Sequence, residues 1–551
     1  MGKGLSRMVN SPGPPPDTAQ GLGKHFRTVS LATTISRISG FARDMVNAAI
    51  FGAGTVSDAY FSALRIPSLL RDLFAEGALS SAFVPTLSKS LRQEDARRTW
   101  ELISQVFTFL LLSTGVVVGL GIVAAPWIVR LIAPGFLADP AKFALTIELT
   151  RLLFPVLLFV SMAAFWMGCL NAHHQFSVAA FAPVAMNLTL IGAGAFILLF
   201  EPLGPGADMK NIIFWTWATT LGMAFQWLIQ VPAAWKLGGR LRLSWPPRHP
   251  GFFEILGLMA PAIFSLSVTQ VDLMLNQIFA SFLPTGSVSC LNYGNRLMQL
   301  PYGVFGVSIA TVVYPLISRQ AADRDRAAYQ QTLSRALEAS IFISFPCTLG
   351  LWLVSLPICR LAFEHGQFSS DSTRLVAQAT CMYILGMSAQ TGIKILTQAF
   401  YPIGKPKWAF WAALANMTTT ASLNLAALLF IPDAHLKFLA FPLATSAGAF
   451  MNFLILYAGL EKYGVRFDLP SIRKESAKVI AATLVMGLAT WMALRLLEGR
   501  AFPGMGVAMV FIPIGVGAAA YFIAAKVLGC ESLSWIISRK KDPPAGPRAI
   551  R

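Results

Sequence analysis

"LISQVFTFLLLSTGVVVGLGIVAAPWIV" runs from Leu102 to Val129 without one ionisable side chain. As a helix rising about 1.5 Å per residue, it outreaches the roughly 30 Å hydrocarbon core of a bilayer. "FSVAAFAPVAMNLTLIGAGAFILLF", Phe176 to Phe200, does the same. Neither run alternates polar and apolar residues as a barrel strand would. The whole chain is 55% hydrophobic and 13% charged, against about 25% charged in soluble domains. The sequence therefore predicts an all-α polytopic membrane protein.

Apolar segments separated by polar punctuation predict about fourteen transmembrane helices, with cores near 29–51, 58–87, 101–126, 146–171, 177–200, 212–236, 252–282, 287–318, 330–355, 374–400, 407–431, 438–460, 476–496 and 506–528. The loops "KSLRQEDARR", "KLGGRLRLSWPPRHP", "SRQAADRDR", "GKPK" and "EKYGVRFDLPSIRKES" fall on one side under this count. "FGAGTVS", "LPTG" and "IPDAH" fall on the other, with few or no basic residues. The positive-inside rule then places both termini in the cytoplasm. The net charge of +18 is explained by that orientation, so no nucleic-acid partner is expected. The N-terminal residues carry no signal-peptide pattern. The expected organisation is a disordered cytoplasmic tail (1–28), six spans (29–236), a basic cytoplasmic linker (237–250), six spans (251–460), two final spans (461–530) and a second cytoplasmic tail (531–551).

An internal repeat supports this division. "IFGAGTVSDAYFSALRIPSLLRDLFAEGALSSAFVPTLSK" resembles "IFASFLPTGSVSCLNYGNRLMQLPYGVFGVSIATVVYPLISR". Both follow a helix that starts in the cytoplasm, so the repeats are parallel. Parallel repeats build transporters with a site between pseudo-symmetric halves near the midplane.

Residues 36–78 place four arginines (Arg37, Arg43, Arg65, Arg71) and four acids (Asp44, Asp58, Asp72, Glu76) in the first two expected spans. A charge at the bilayer centre costs roughly 2.5–3.5 kcal/mol on insertion scales, so such residues face a bundle interior or a wet cavity. At 100° per residue, Asp58, Arg65, Asp72 and Glu76 share nearly one helix face, as Arg37 and Asp44 do on the first helix. Arg296 and Asp272 add intramembrane charges in the second half. Arginine stays ionised, and its planar fork matches phosphate oxygens. The cluster predicts a central cationic cavity for a phosphate or diphosphate. The plainer alternative is structural pairing, Arg37 with Asp44 or Arg65 with Asp72, and an Arg71–Asp72 pair near a membrane surface. Six scattered cysteines read as small buried hydrophobes. The six histidines sit in tails or expected loops, and no phosphate-binding loop is present. No catalytic residues or cofactor are expected. Asn416, Asn424 and the threonines at 418–420 are either interhelical hydrogen-bond partners or, with Asp272, a weak candidate cation site.

The blocks "SRISGFARD", "FGAGTVSDAYFSALRIPSLLRDLFAEGALSSAFVP", "FAPVAMN", "NRLMQLPYGVFGVSIATVVYP" and "AFY" resemble the MurJ/MviN family of bacterial lipid II flippases, within the multidrug/oligosaccharidyl-lipid/polysaccharide exporter superfamily. The resemblance implies two lobes around a V-shaped cavity, alternating access, and a location in the bacterial inner membrane. The implied cargo is lipid II, the undecaprenyl-diphosphate-linked disaccharide-pentapeptide. It implies cargo contacts at Arg37, Arg43, Arg71 and Arg296, with Arg65 added by the helix projection. It places the family's acids at Asp58 and Glu76; with Asp44 these are expected to pair with the arginines or gate the cavity. The last two spans are expected to form a groove for the lipid tail. Relatives carry Asp where Asn295 precedes Arg296, and some bind sodium through acids in two spans, one of which has no acid here. Coupling to the membrane potential or a monovalent cation, and association with the cell-wall synthesis machinery, remain open. So do three rivals: a flippase for another prenyl-diphosphate glycan, a drug or cation antiporter of the same superfamily, and a non-transporting scaffold.

Overall fold

The computed structural model describes residues 19–72, 79–204, 206–239, 241–500 and 504–533. Those residues are helical throughout, apart from loops and turns. In chain order the helices are α1 (Ala19–Phe51), α2 (Thr55–Leu70), α3 (Ser80–Gln93), α4 (Ala96–Ile132), α5 (Pro140–Leu153), α6 (Pro155–Ala172), α7 (Phe176–Phe200), α8 (Asp208–Leu228), α9 (Val231–Trp235) and α10 (Pro250–Ala280). They continue as α11 (Ser287–Pro301), α12 (Val307–Ala322), α13 (Arg326–Phe363), α14 (Ser370–Leu385), α15 (Met387–Ala399), α16 (Lys407–Phe430), α17 (Ala434–Lys462), α18 (Leu469–Leu497) and α19 (Met505–Val527).

Among the described residues, ten helical segments are long and apolar enough to cross a membrane. The expected spans at 29–51, 58–87, 252–282 and 374–400 are not among those ten, and 58–87 includes residues outside the described ones. One of them, α1, holds Arg37, Arg43 and Asp44, and the expected span at 374–400 is split at Gly386 into α14 and α15. Helix α1 also begins at Ala19, inside the segment expected as tail. The terminal residues 1–18 and 534–551 lie outside the described residues.

Local chemistry sets several of the helix starts. Asp325, Ser369, Asp433 and Asp468 accept from the backbone N–H groups of Ala328, Ser372, Leu436 and Ser471, capping α13, α14, α17 and α18. The repeat is visible in the backbone as well. α2 contains Pro67 and runs into a wider π-type turn at Arg71–Asp72; α11 ends at Pro301 and runs into the same kind of turn at Tyr302–Gly306. Proline has no N–H for the helical ladder, and the looser turn absorbs the missing bond.

Two compact units are present. The first comprises residues 1–47, 66–125 and 148–264; the second comprises 48–65, 126–147 and 265–551. In the first, Phe83, Leu102, Phe165, Trp166 and Phe252 pack from α3, α4, α6 and α10, with the Phe83 and Phe165 rings stacked at 5.4 Å. Gly168 lies under Phe83, where an added Cβ would come within 2.8 Å of the ring. In the second, Ile317, Leu333, Leu396, Phe400 and Leu460 join α12, α13, α15 and α17. Phe342, Val479, Met486 and Tyr521 join α13 to α18 and α19, pinned by the Tyr521 hydroxyl donating to the Phe342 carbonyl at 2.6 Å. Small residues and such polar ties hold helices together where lipid removes the usual hydrophobic drive.

Candidate functional site

In the first unit, the site residues lie on α1 and α7 and at the end of α2. The Arg43 guanidinium reaches Asp44 Oδ1 through Nη2 at 2.6 Å and Nε at 3.0 Å. Its Nη1 donates to Asn187 Oδ1 at 3.2 Å. Asn187 Nδ2 in turn donates to the Ser36 carbonyl at 3.1 Å and to Ser39 Oγ at 3.0 Å. The network ties α7 to α1 and holds Arg43 about one-fifth exposed, its side chain at 18%. The amide oxygen of Asn187 orients the guanidinium, a role that reading α1 alone did not reveal. Arg37 is exposed on α1. Arg71 pairs with Asp72 at 2.9 Å, both side chains near 30% exposed (29% and 31%). Arg43 and Arg71 thus each pair with the acid that follows in sequence, as the Arg71–Asp72 alternative expected for the second. The long arginine arm can fold back beside the next residue, whereas a carboxylate seven residues along lies about 10 Å away on the helix axis. Glu76 lies outside the described residues.

In the second unit, Arg65 donates to the Leu273 carbonyl at 3.2 Å. It lines a cavity of about 100 Å³ together with Asp272, Asn276, Gln277, Asn292 and Asn295. Asn416 Nδ2 lies 3.4 Å from Asp272 Oδ2. Asn276 Nδ2 lies 3.5 Å from Asp272 Oδ1, and Asn424 Nδ2 donates to Asn276 Oδ1 at 2.7 Å. The amides thus turn N–H groups, not carbonyl oxygens, toward the single carboxylate. No group of three or more His, Cys, Asp or Glu that could hold a metal occurs among the described residues. Arg296 is half-buried on α11, and Asn295 beside it lines the cavity.

Asp58 has a different setting from the one its helix face implied. It is fully buried and faces Lys142 Nζ at 2.8 Å. Its other contacts are the Gly286 N–H at 2.7 Å, the Ser289 N–H at 2.9 Å and the Ser289 hydroxyl at 2.8 Å. The carboxylate therefore sits on the N-terminus of α11, where unpaired N–H groups and the helix dipole favour an anion. Its counter-ion is a lysine, not one of the arginines, and it does not share an aqueous face with Arg65. Lys142, in the first turn of α5, escaped the sequence reading because it lies far along the chain from Asp58.

Further ties in the second unit join the same early residues to later ones. Ser62 Oγ accepts from Gln277 at 2.8 Å, the Ala49 carbonyl accepts from the Gln367 N–H at 2.8 Å, and Ser281 Oγ accepts from the Gly135 N–H at 3.0 Å. Gly366, at φ +59°, would drive a Cβ to 2.2 Å from the Ala49 oxygen, so only glycine permits this approach.

An apolar cavity of about 470 Å³ opens between α11, α13, α18 and α19. Pro301, Cys347, Gly350, Met486, Gly517 and Phe522 are among its walls. The last two spans, α18 and α19, supply part of its lining, and α11 and α13 supply the rest of the helical walls.

The family model described as "Lipid II flippase MurJ" matches residues 47–512. The chain is 33% identical over 516 residues to the "Lipid II flippase MurJ" of Burkholderia cenocepacia, covering 92% of this chain and 98% of that one. It is 34% identical over 533 residues to a "Probable lipid II flippase MurJ" of Rhizobium meliloti, covering 94% and 95%. The fold superposes on a structure titled "Lipid II flippase MurJ, inward closed conformation" with TM-score 0.75 and 26% identity, covering 91% of this chain and 98% of that one. An inward-facing multidrug resistance transporter of the MATE family shares the fold at TM-score 0.60 and 15% identity, covering 78% and 95%. With the family model matched along most of its length, this chain belongs to the MurJ family.

Proposed function

We propose that the chain is a lipid II flippase, carrying the undecaprenyl-diphosphate-linked peptidoglycan precursor from the inner to the outer leaflet by alternating access. The observation that carries this reading is the similarity, along nearly the whole chain, to proteins named for that activity. As a MurJ-family protein with at least ten apolar spans, it is a multi-pass inner-membrane transporter. Both termini face the cytoplasm, as the basic loops require.

Arg37, Arg43 and Arg296 hold the diphosphate, with Arg71 and Arg65 along its path. The Asn187–Arg43–Asp44 network supports this role: it keeps a guanidinium partly exposed and oriented on a spanning helix. Asp44 neutralises Arg43 while no cargo is bound and yields it when a diphosphate arrives. The headgroup crosses in water while the prenyl tail stays in lipid or in the groove lined by Met486 and Phe522. No covalent step is required. The membrane potential assists return of the empty cationic cavity, since one charge moved through 100 mV corresponds to about 2.3 kcal/mol. Asp272 and the amides around it remain the place to look for cation coupling.

The test is to deplete a bacterium's own flippase and express this chain. Lipid II accessible on the outer face of spheroplasts is then measured. Wild type restores exposure, while well-inserted Arg296→Ala and Arg43→Ala lose nearly all of it. Exposure of a different prenyl-diphosphate glycan but not lipid II would reassign the cargo. Full transport by both alanine variants would overturn the arginine clamp.

A further inference from the structure

The basic segment between the two halves of the sequence is not a loose linker. From Leu241 to His249 it lies strapped along the start of α4, inside the first unit. The Arg242 N–H donates to Ser104 Oγ at 3.2 Å and the Ser244 N–H to Thr108 Oγ1 at 3.0 Å. The chain then returns: the Arg248 and His249 N–H groups both donate to Gln105 Oε1, at 3.0 and 2.9 Å. Ser104, Gln105 and Thr108 are buried, so each is consumed in holding the strap. The far end is pinned by His249, buried, whose Nε2 lies 3.2 Å from Glu94 Oε2. Its Nδ1 accepts from the Gly251 N–H at 3.1 Å, so the ring N–H is Nε2, the nitrogen facing Glu94.

These anchors give the strap a depth profile. α4 enters its uncharged run at Leu102, just after Arg97, Arg98 and Glu101. Ser104 and Gln105 therefore sit at the membrane boundary. Thr108 is one turn further in, about 6 Å from Ser104. The strap dips by that turn between Arg242 and Ser244 and climbs back by Arg248. At the bottom of the dip, Leu243 and Trp245 point outward, 74% and 62% exposed. On its shoulders Arg242 and Arg248 are exposed, as is Lys236 just before it. Among the nearby acids, Glu94 is engaged by His249 and Glu254 by Lys89.

We propose that this strap is a docking surface for anionic phospholipid: Trp245 and Leu243 enter the acyl region, and Arg242 and Arg248 hold headgroup phosphates. Two large apolar side chains held out in the interface have no stable place in water, and indole prefers that layer. Basic residues beside them attract anionic headgroups. The rigid backbone anchoring means that little ordering entropy is lost on docking.

The test uses the full-length protein in nanodiscs of phosphatidylcholine with phosphatidylglycerol. Trp245 is replaced by the photo-crosslinker p-benzoylphenylalanine, and bound lipids are counted by native mass spectrometry. Position 245 is expected to crosslink to lipid. The preference for phosphatidylglycerol over phosphatidylcholine falls about fivefold for each of Arg242→Gln and Arg248→Gln, and the paired lysine variants retain it. Crosslinking at 245 only to protein would overturn the proposal and point to a protein partner. An unchanged lipid preference in the double glutamine variant would overturn it equally.

Discussion

Asp58 and Arg43 show two ways of keeping a charge inside a membrane protein. Asp58 is sealed: a lysine, two backbone N–H groups and a hydroxyl complete its shell. Removing one partner of such a pair costs about 3–5 kcal/mol, because the other charge stays buried and uncompensated. Lys142→Met is therefore expected to lower the apparent unfolding temperature in detergent sharply. Adding Asp58→Asn should recover part of the loss, and strictly additive losses would sink the pairing argument. Arg43, in contrast, is oriented by contacts that include its sequence neighbour Asp44 and the distant Asn187 amide, and about a fifth of its side chain, 18%, is exposed. A sealed charge serves architecture; an oriented and exposed one can exchange its partner for a ligand.

Helix α13 shows how one element serves several neighbours. It packs on α12 and α15 near one end, and its middle forms a wall of the apolar cavity with α18 and α19. Pro346 and Gly350 both lie in that stretch. A Cβ added at Gly350 would meet only Met486 Cε, at 3.6 Å, so a larger side chain there fills the cavity without breaking the packing. Gly350→Leu should insert normally and transport lipid II less well. The loss should be on the order of tenfold or less, because a displaced tail enters lipid that is equally apolar. Unchanged lipid II exposure would remove the cavity from the tail's path. The paired prolines at 67 and 301 belong to the same level of organisation: each sits before a π-type turn at the matching place in its repeat.

The whole molecule divides in a way that cuts across its chain order. Residues 48–65 and 126–147, from the first half of the sequence, belong to the same unit as 265–551. Asp58, Ser62, Ala49 and Gly135 supply the ties, each to a residue far along the chain. If residues 48–65 and 126–147 part from 265–551 during transport, these ties must break. Cysteines at Ala49 and Gln367, whose backbones meet at 2.8 Å, should then stop lipid II exposure when oxidised and restore it when reduced. Transport by the fully crosslinked protein would exclude opening at this place.

Uncharged runs such as Leu102 to Val129 settled the helical membrane class directly, because only helices and closed barrels satisfy their backbone in hydrocarbon and these runs lack the alternation of a barrel strand. The repeat and the charged block at 36–78 were equally legible, since both rest on local order and spacing. Helical projection grouped Asp58 with Arg65 and Asp72, but it describes one helix in isolation. Which of those charges is sealed, which is oriented and which is paired next door depended on residues from elsewhere in the chain: Lys142, Ser289, Asn187 and Leu273. The course of the 241–249 strap was equally hidden, because Ser104, Gln105 and Thr108 are ordinary polar residues in a span until a backbone lies against them. Composition and period dictate which segments enter the membrane, since each obeys the solvent around it. Partners across the fold depend on where distant segments meet, and only the packed chain decides that.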